Sequence, residues 1–370
     1  MLGGPADVQS SGDETEPVTD AKTTDRGRSA EPVSARTVSM AERNDALARA
    51  QVWRAPATPV SRASFAPGSV ASNIDCRFKI TELGGTTPKF HCLLPSDVEI
   101  RVKYGPGAEI PAESAATRLL AALGFAADRI ALVQQLRCFG CPREPFTTMK
   151  VLDAARARNV YEKVMNPEQY QTFEWVAMEH KFDASAIKTE SHEGWAFFEL
   201  ARVDPAKGGA SRAHVDALRL MAVFLAHWDN KSENQRLVCV SNPWPEGTPC
   251  RDPFLLLQDV GSTFGPKRLD LAGWARARIW EDRATCKVSM QELPYNGGTF
   301  GSAHISEAGR QFLATQLAAV DDRQLTDLFS SARFDQPRSA LSRPSPISEW
   351  VRVFKQRVKT ITDGPPCPAR

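Results

Sequence analysis

The amino-acid sequence predicts an α+β chain of two lobes, a small β-rich N-terminal lobe and a larger, mostly helical C-terminal lobe. Three observations lead there. Short apolar–polar alternations bounded by turn residues recur from about residue 76. "PAESAATRLLAALGF" is the one prominent helix among them. Beyond about residue 150, helical stretches dominate. A chain of 370 residues has room for roughly two such units, and 42% apolar residues supply a sizeable core. Several bilobal plans share this layout, and composition alone does not choose among them.

The elements follow in order. Residues 1 to about 66 are rich in Ser, Thr, Pro, Ala and mixed charge, and are expected to be disordered apart from a short helix in "MAERNDALARAQVW". "CRFKITEL" and "KFHCLL" read as strands on either side of the turn "GGTTP". In "DVEIRVKY", Val98, Ile100 and Val102 alternate with Glu99, Arg101 and Lys103, the pattern of a half-buried strand. The helix after it has Leu119, Leu120 and Leu123 on one face, Pro111 in its first turn and Gly124 just past its end. "RIALVQQLRC" reads as a further strand. These elements make an N-lobe of residues 67–150.

Residues 151–362 form the expected C-lobe. "NVYEKVMNPEQYQTFEWVAMEH" is read as containing helical segments, and "HVDALRLMAVFLAHW" as a buried helix. "FLLLQDV" is a short, nearly all-apolar strand. Helices follow at "SEAGRQFLATQLAAV", with Ser306 as its cap, "DRQLTDLFSSARF" and "ISEWVRVFKQRVKTI". Residues 363–370 read as a flexible tail.

Net charge is only +2, which gives no electrostatic case for nucleic acid or an anionic membrane. The longest apolar runs, Leu218–Ala226 and Phe254–Leu257, fall short of the roughly 20 residues of a membrane helix. The first residues lack a basic region and an apolar stretch, so as written they suggest a cytoplasmic protein, while eight Cys leave an extracytoplasmic setting open. Cys138 and Cys141 form a CxxC that reads as two structural thiols or a local turn. A zinc site joining them to Cys76 and Cys92 lacks the usual second close pair. Cys239 and Cys250 are placed to pin the base of a loop in an oxidising compartment.

The chemistry concentrates in "HWDNKSEN", residues 227–234, directly after the apolar "LRLMAVFLA". Asp229 and Asp259 are acids at the ends of two buried elements, and Asn234 is a neutral oxygen ligand. Carboxylate and amide oxygens are hard ligands suited to Mg²⁺. An Asp not used for metal can orient a hydroxyl nucleophile. In "DVG", Gly261 would let the backbone turn away after the acid.

"HWDNKSEN" matches, in spacing and at most key positions, the protein-kinase catalytic loop H-R-D-x-K-x-x-N, and "DVG" matches the metal-binding D-F-G. "RVKY" resembles the strand with the phosphate-contacting Lys, "PAESAATRLLAALGF" the helix with its Glu partner, and "LGGTTPKF" the turn over the phosphates. The order is right, and the resemblance spans roughly residues 74 to 335. The chain resembles a diverged member of the protein-kinase-like superfamily, nearer to atypical, lipid-kinase-like or secreted-kinase groups than to ordinary Ser/Thr or Tyr kinases.

That resemblance implies a bilobal protein-kinase-like fold and a phosphotransferase that uses ATP with Mg²⁺ or Mn²⁺. Asp229 would be the catalytic Asp, with Lys231 assisting at the transferred group. Asn234 and Asp259 would hold the metal. Lys103 would contact the nucleotide phosphates, positioned by Glu113 or by the competing Glu109. Gly84, Gly85, Thr86 and Thr87 would cover the phosphates. The acceptor is a hydroxyl on a protein, lipid, sugar or small molecule. Several features depart from the pattern: Trp228 replaces the usual Arg, no A-P-E follows, the glycine turn is short, and Lys103 and Glu113 are close in sequence.

Other readings stay open at this level. Lys103 also fits a solvated strand-end lysine, Glu113 a helix-dipole partner, "GGTTP" a plain hairpin turn and His227 a structural hydrogen-bonder. A pseudokinase would keep the fold and bind nucleotide or a protein partner without turnover. A metal-dependent hydrolase built on Asp229, Asp259 and His227 would call for more His ligands than the six His here supply.

Overall fold

The computed structural model describes residues 35–66, 73–241, 243–294, 297–337 and 343–369. Its first strand, β1 (Ala35–Thr37), leads into α1 (Met40–Arg49). Ser39 starts that helix: its hydroxyl accepts from the Glu42 N–H, and the Glu42 carboxylate accepts from the Ser39 N–H. Leu47, Val52, Val60 and Phe65 are buried in the same core as the C-terminal helices. Arg43, only 2% exposed, pairs with Glu199 at 2.8 Å. The expectation of disorder therefore fails for residues 35–66, while residues 1–34 lie outside the described ones. The segment is polar on average, but its few large apolar side chains are spaced to dock.

Alternation builds the smaller lobe. β2 (Asn73–Lys79), β3 (Lys89–Leu93) and β4 (Glu99–Lys103) bury Cys76, Phe78, Phe90, Cys92, Ile100 and Val102 on one side. Next come α2 (Glu109–Ala122), β5 (Arg129–Phe139), α3 (Pro145–Ala154), α4 (Arg158–Val164) and β6 (Tyr170–His180). The strands close into a barrel in the order β2-β3-β4-β6-β5. The stretch Tyr170–His180 is thus a strand, not the helix expected from its Glu, Met and Ala content. Its ladder with β5 runs from Tyr170 to His180 and overrides those propensities. The lobe extends past residue 150 accordingly, and α3 and α4 are two short helices inserted between β5 and β6. Gly124 takes φ +85° just beyond α2, the left-handed position that ends a helix.

The larger part starts with β7 (Ser185–Lys188) and α5 (Arg212–Leu225). β8 (Gln235–Cys239) and β9 (Pro253–Leu257) complete the sheet β1-β7-β8-β9. α6 (Leu271–Arg276), the hairpin β10 (Lys287–Ser289) and β11 (Ser302–His304), and α7 (Glu307–Ala318), α8 (Asp322–Ser331) and α9 (Ile347–Thr362) follow. The Ser306 hydroxyl accepts from the Gly309 N–H and caps α7. The fold is α+β, with a small β-rich lobe and a larger, mostly helical one, as the sequence predicts.

All eight cysteines pair, as Cys76–Cys92, Cys138–Cys141, Cys239–Cys250 and Cys286–Cys367. Strand pairing brings Cys76 and Cys92 together, so neither they nor the CxxC form a zinc site. Cys239 and Cys250 are 5.6 Å apart at Cα and close the loop base as expected. Cys367 is buried and bonded to Cys286, and Arg283 donates to the Pro365 carbonyl at 2.6 Å. The tail is therefore pinned rather than free through that point. No helix among the described residues is long and apolar enough to cross a membrane.

Candidate active site

Strand β4 ends at Lys103 and α2 begins at Glu109, which puts Glu113 about one turn into the helix and level with the lysine. The Lys103 ammonium is 2.7 Å from Glu113 and 3.3 Å from Glu109. It is 3.9 Å from Asp259, which follows β9 in the other lobe. Their closeness in sequence is thus no obstacle to the pair, because the strand passes into the helix through a short loop. Both glutamates touch the lysine, Glu113 the more closely. Burial alone would lower the pKa of Lys103, but Glu113, Asp259, Glu179 and Glu109 outweigh it and hold the lysine charged. Burial pushes the Glu113 carboxyl up, against the pull of Lys103.

α2 is held from two sides. Ala112, Ala115, Ala116, Leu119 and Leu120 belong to the large core around α5, and Ile110 packs with Ile130 and Ala177 of the barrel. Both glutamates therefore stand on a helix wedged between the lobes. Glu109 also accepts from the Thr87 hydroxyl at 2.5 Å and lies 3.5 Å from Arg268. A Cβ on Gly261 would sit 2.3 Å from the Glu109 side chain. Gly261 is needed for that close approach and not for a left-handed turn, since its φ is not positive.

The polar octet hangs below the end of α5. Ala226, at φ +55°, ends the helix, and the buried His227 amide donates back to the Ala222 carbonyl. Asn230 ties the loop down: its side chain donates to the His227 carbonyl and accepts from the Thr299 and Phe300 amides at 2.6 and 2.8 Å. The Asn234 amide group donates to the Asp229 carbonyl at 2.5 Å. The Asn234 carbonyl accepts from the Asp259 amide at 3.2 Å, so the loop and the "DVG" segment are joined through main chain. Lys231 lies 3.2 Å from Asp229 Oδ1, yet that buried oxygen makes no aligned hydrogen bond. Burial lowers the His227 pKa to about 4 against the pull of Asp259, Asp229 and the Ser262 backbone, so the ring is neutral. Trp228, where the resemblance calls for Arg, donates to the Gly265 carbonyl at 3.3 Å.

Gly84, Gly85 and Thr86 are exposed in the turn between β2 and β3, and Thr87 alone of that group is latched, to Glu109. The structure thus brings Lys103, Glu113, Glu109, Asp259 and Thr87 into one connected cluster, and joins Asp229, Lys231 and Asn234 to it through the Asp259 amide. Sequence reasoning missed two residues. Asn230 is hidden by its polar neighbours. Gly194 has its own reason: a Cβ there would lie 1.9 Å from the Ser232 carbonyl oxygen, so the strap at residue 194 must be glycine for the loop to fit.

Two groups of these residues differ in how well they would take a divalent cation. Glu109, Glu113 and Asp259 lie close enough to share an ion. Lys103, however, already occupies the centre of that triad, which reads as an ammonium cage and not a metal site. Asp259 with Asn234 fits better. The Asp259 side chain is 38% exposed and keeps an oxygen for a cation beyond its contact with the Gly261 amide, and Asn234 uses its NH₂ on Asp229, leaving its oxygen.

No protein-family model matches the chain, and no curated protein matches it. Among solved structures it is similar to the crystal structure of the Helicobacter pylori proinflammatory kinase CtkA. The identity is 12% over 78% of this chain and 94% of that one, with a TM-score of 0.39.

Proposed function

We propose that this chain is a phosphotransferase that uses ATP and Mg²⁺ or Mn²⁺ to phosphorylate a hydroxyl acceptor. One observation carries the reading: the Lys103 ammonium reaches Glu113 of the small lobe and Asp259 of the large one. Residues from both sides thus converge where a polyphosphate would lie. Asp259 and Asn234 would hold the cation, which when bound neutralises charge on the phosphoryl oxygens. Lys103, fixed by Glu113, adds positive charge on the other side of the phosphates. The Asp229 carboxylate, whose side chain is 21% exposed, is the acceptor for the proton of an incoming hydroxyl. Lys231 beside it offsets charge developing on the transferred group. His227 is wholly buried and belongs to no cluster of His, Cys, Asp or Glu among the described residues that could hold a metal, which argues against a hydrolase-type metal set.

Four disulfides further support an oxidising, extracytoplasmic compartment over the cytoplasm. The test is a thermal-shift titration of the full chain with ATP, with and without Mg²⁺ or Mn²⁺, followed by ATP turnover. Metal-dependent stabilisation with turnover is the expected result. Stabilisation without turnover would make the chain a pseudokinase, and no stabilisation by any nucleotide would overturn the reading.

A further inference from the structure

A second lysine lies under the glycine turn. Lys89 is the direct cross-strand partner of Lys103 in the β3–β4 ladder. Directly opposed residues share a face of the sheet, and like charges so placed destabilise it. The next pair, Phe90 and Val102, is 0% exposed and fills the barrel, so the two lysines face the other way, toward Asp259 and Glu109. The Lys89 ammonium is close beneath the turn: a Cβ added to Gly85 would lie 3.1 Å from its Nζ.

The charges of the two lysines are matched unequally. Lys103 has Glu113, Glu109 and Asp259 within 4 Å. Among the described residues the Lys89 ammonium makes no hydrogen bond and no ion pair of that length. Its pKa is lowered by burial and by the charges of Lys103 and Arg101, against the pull of Asp259 and Glu109. A half-buried, unpaired ammonium set beside another cation is stabilised by an anion that lies between them. The exposed turn above and the open side of Asp259 leave a polyphosphate that place.

We infer that Lys89 is a second phosphate-binding lysine, which with Lys103 grips the nucleotide polyphosphate beneath the glycine turn. The inference deepens the phosphotransferase reading and rests on it. In this arrangement Lys103 is the fixed cation, held by carboxylates, and Lys89 is the one with its charge free for the ligand. Gly85 takes φ +71°, a conformation that favours glycine.

The experiment titrates Mg-ATP, adenosine and inorganic tripolyphosphate into the full chain, as wild type, Lys89→Met and Lys89→Arg. Losing one charge-assisted contact corresponds to roughly tenfold to hundredfold in affinity. Lys89→Met should weaken Mg-ATP and tripolyphosphate by that factor and leave adenosine unchanged, and Lys89→Arg should restore most of the loss. Should Lys89→Met fail to fold, Lys89→Gln takes its place. Wild-type affinity for both phosphates in the Met variant overturns the inference, as does an equal loss for adenosine, which would show a merely structural role. A wild type that binds tripolyphosphate through Lys89 but not Mg-ATP keeps the anion site and sinks the nucleotide reading. Binding of neither ends both.

Discussion

The Lys103 ammonium and the Glu113 carboxylate meet at 2.7 Å with side-chain exposures of only 2% and 1%. Water cannot replace either partner there, so removing one leaves the other buried without its closest partner. Glu109 is farther from the lysine, at 3.3 Å, and its side chain is 8% exposed. Breaking a buried pair from one side costs about 3–5 kcal/mol. Glu113→Gln should therefore destabilise the fold toward the upper part of that range, and Glu109→Gln by clearly less. Urea unfolding of the two variants decides it. A larger loss for Glu109→Gln would make Glu109 the principal partner of Lys103.

His227 gives the fold a pH dependence of definite sign. Its folded pKa is about 4, below the 6.5 of a free imidazole, because burial disfavours the charged ring. The native state then binds fewer protons than the unfolded one in that window, so stability rises with pH from about 4 to 6.5 and is lost on acidification. The full effect is roughly 3 kcal/mol. His227→Gln removes this contribution. Unfolding free energies at several pH values should show a shallower acid loss in the variant, and parallel curves would mean that the ring is not held neutral.

The fold class and the residues of the candidate site were both legible in the sequence, while parts of the fold around them were not. "HWDNKSEN" and "DVG" stand out because charge and amide groups cluster where apolar elements end, and such clusters are too polar for a core. The β4–α2 junction was readable from alternation and capping. What escaped depends on contacts remote in sequence. Tyr170–His180 looks helical by content, and only its ladder with β5 makes it a strand. Lys89 is an unremarkable strand residue until register sets it against Lys103. Residues 35–66 look disordered because Leu47, Val52 and Phe65 are few, and their burial is visible only once the helical core exists.

That segment leads to a prediction about stability. Leu47 is 0% exposed in the main core, and Arg43 is held by Glu199 and the Gly194 carbonyl, whose strap packs on the main chain at Ser232 and Gln235. Leu47→Ala should cost about 2–5 kcal/mol. Deleting residues 35–66 should yield an insoluble chain. A soluble, cooperatively unfolding product of that deletion would show that the segment is dispensable.

The disulfides can be counted chemically. Unreduced chain unfolded in guanidinium should show no titratable thiol, since all eight cysteines are paired. The Cys286–Cys367 bond closes a separation of 81 residues and so restrains the unfolded chain most. Loops of that length correspond to about 4–5 kcal/mol in the chain-entropy description. The double substitution Cys286→Ser, Cys367→Ser should lower the Tm by more than the Cys138, Cys141 double substitution, whose separation is 3 residues. The reverse order would mean that the tail contributes little.

The two acids of the site should fail in different ways. Asp259 is anchored by its amide on the Asn234 carbonyl and by the Gly261 amide on its side chain, with Lys103 3.9 Å away. Its carboxylate is fixed, partly open and beside the place proposed for the phosphates. Asp229 sits across the loop with Lys231 3.2 Å from its Oδ1 and its side chain 21% exposed. Asp259→Asn removes the charge that would balance the cation, so metal-dependent nucleotide binding and turnover should disappear together. Asp229→Asn keeps the shape but cannot take a proton, so nucleotide affinity should stay near wild type. Turnover should then fall by a factor on the order of 10²–10⁴, the usual effect of losing a general base. Calorimetric titration of Mg-ATP and ATP turnover on both variants separate the roles. If Asp259→Asn binds Mg-ATP like the wild type, Asp259 is not the metal ligand and the phosphotransferase assignment loses its main support. If Asp229→Asn turns over normally, the hydroxyl proton goes elsewhere and Asp229 serves only to hold the loop through its carbonyl.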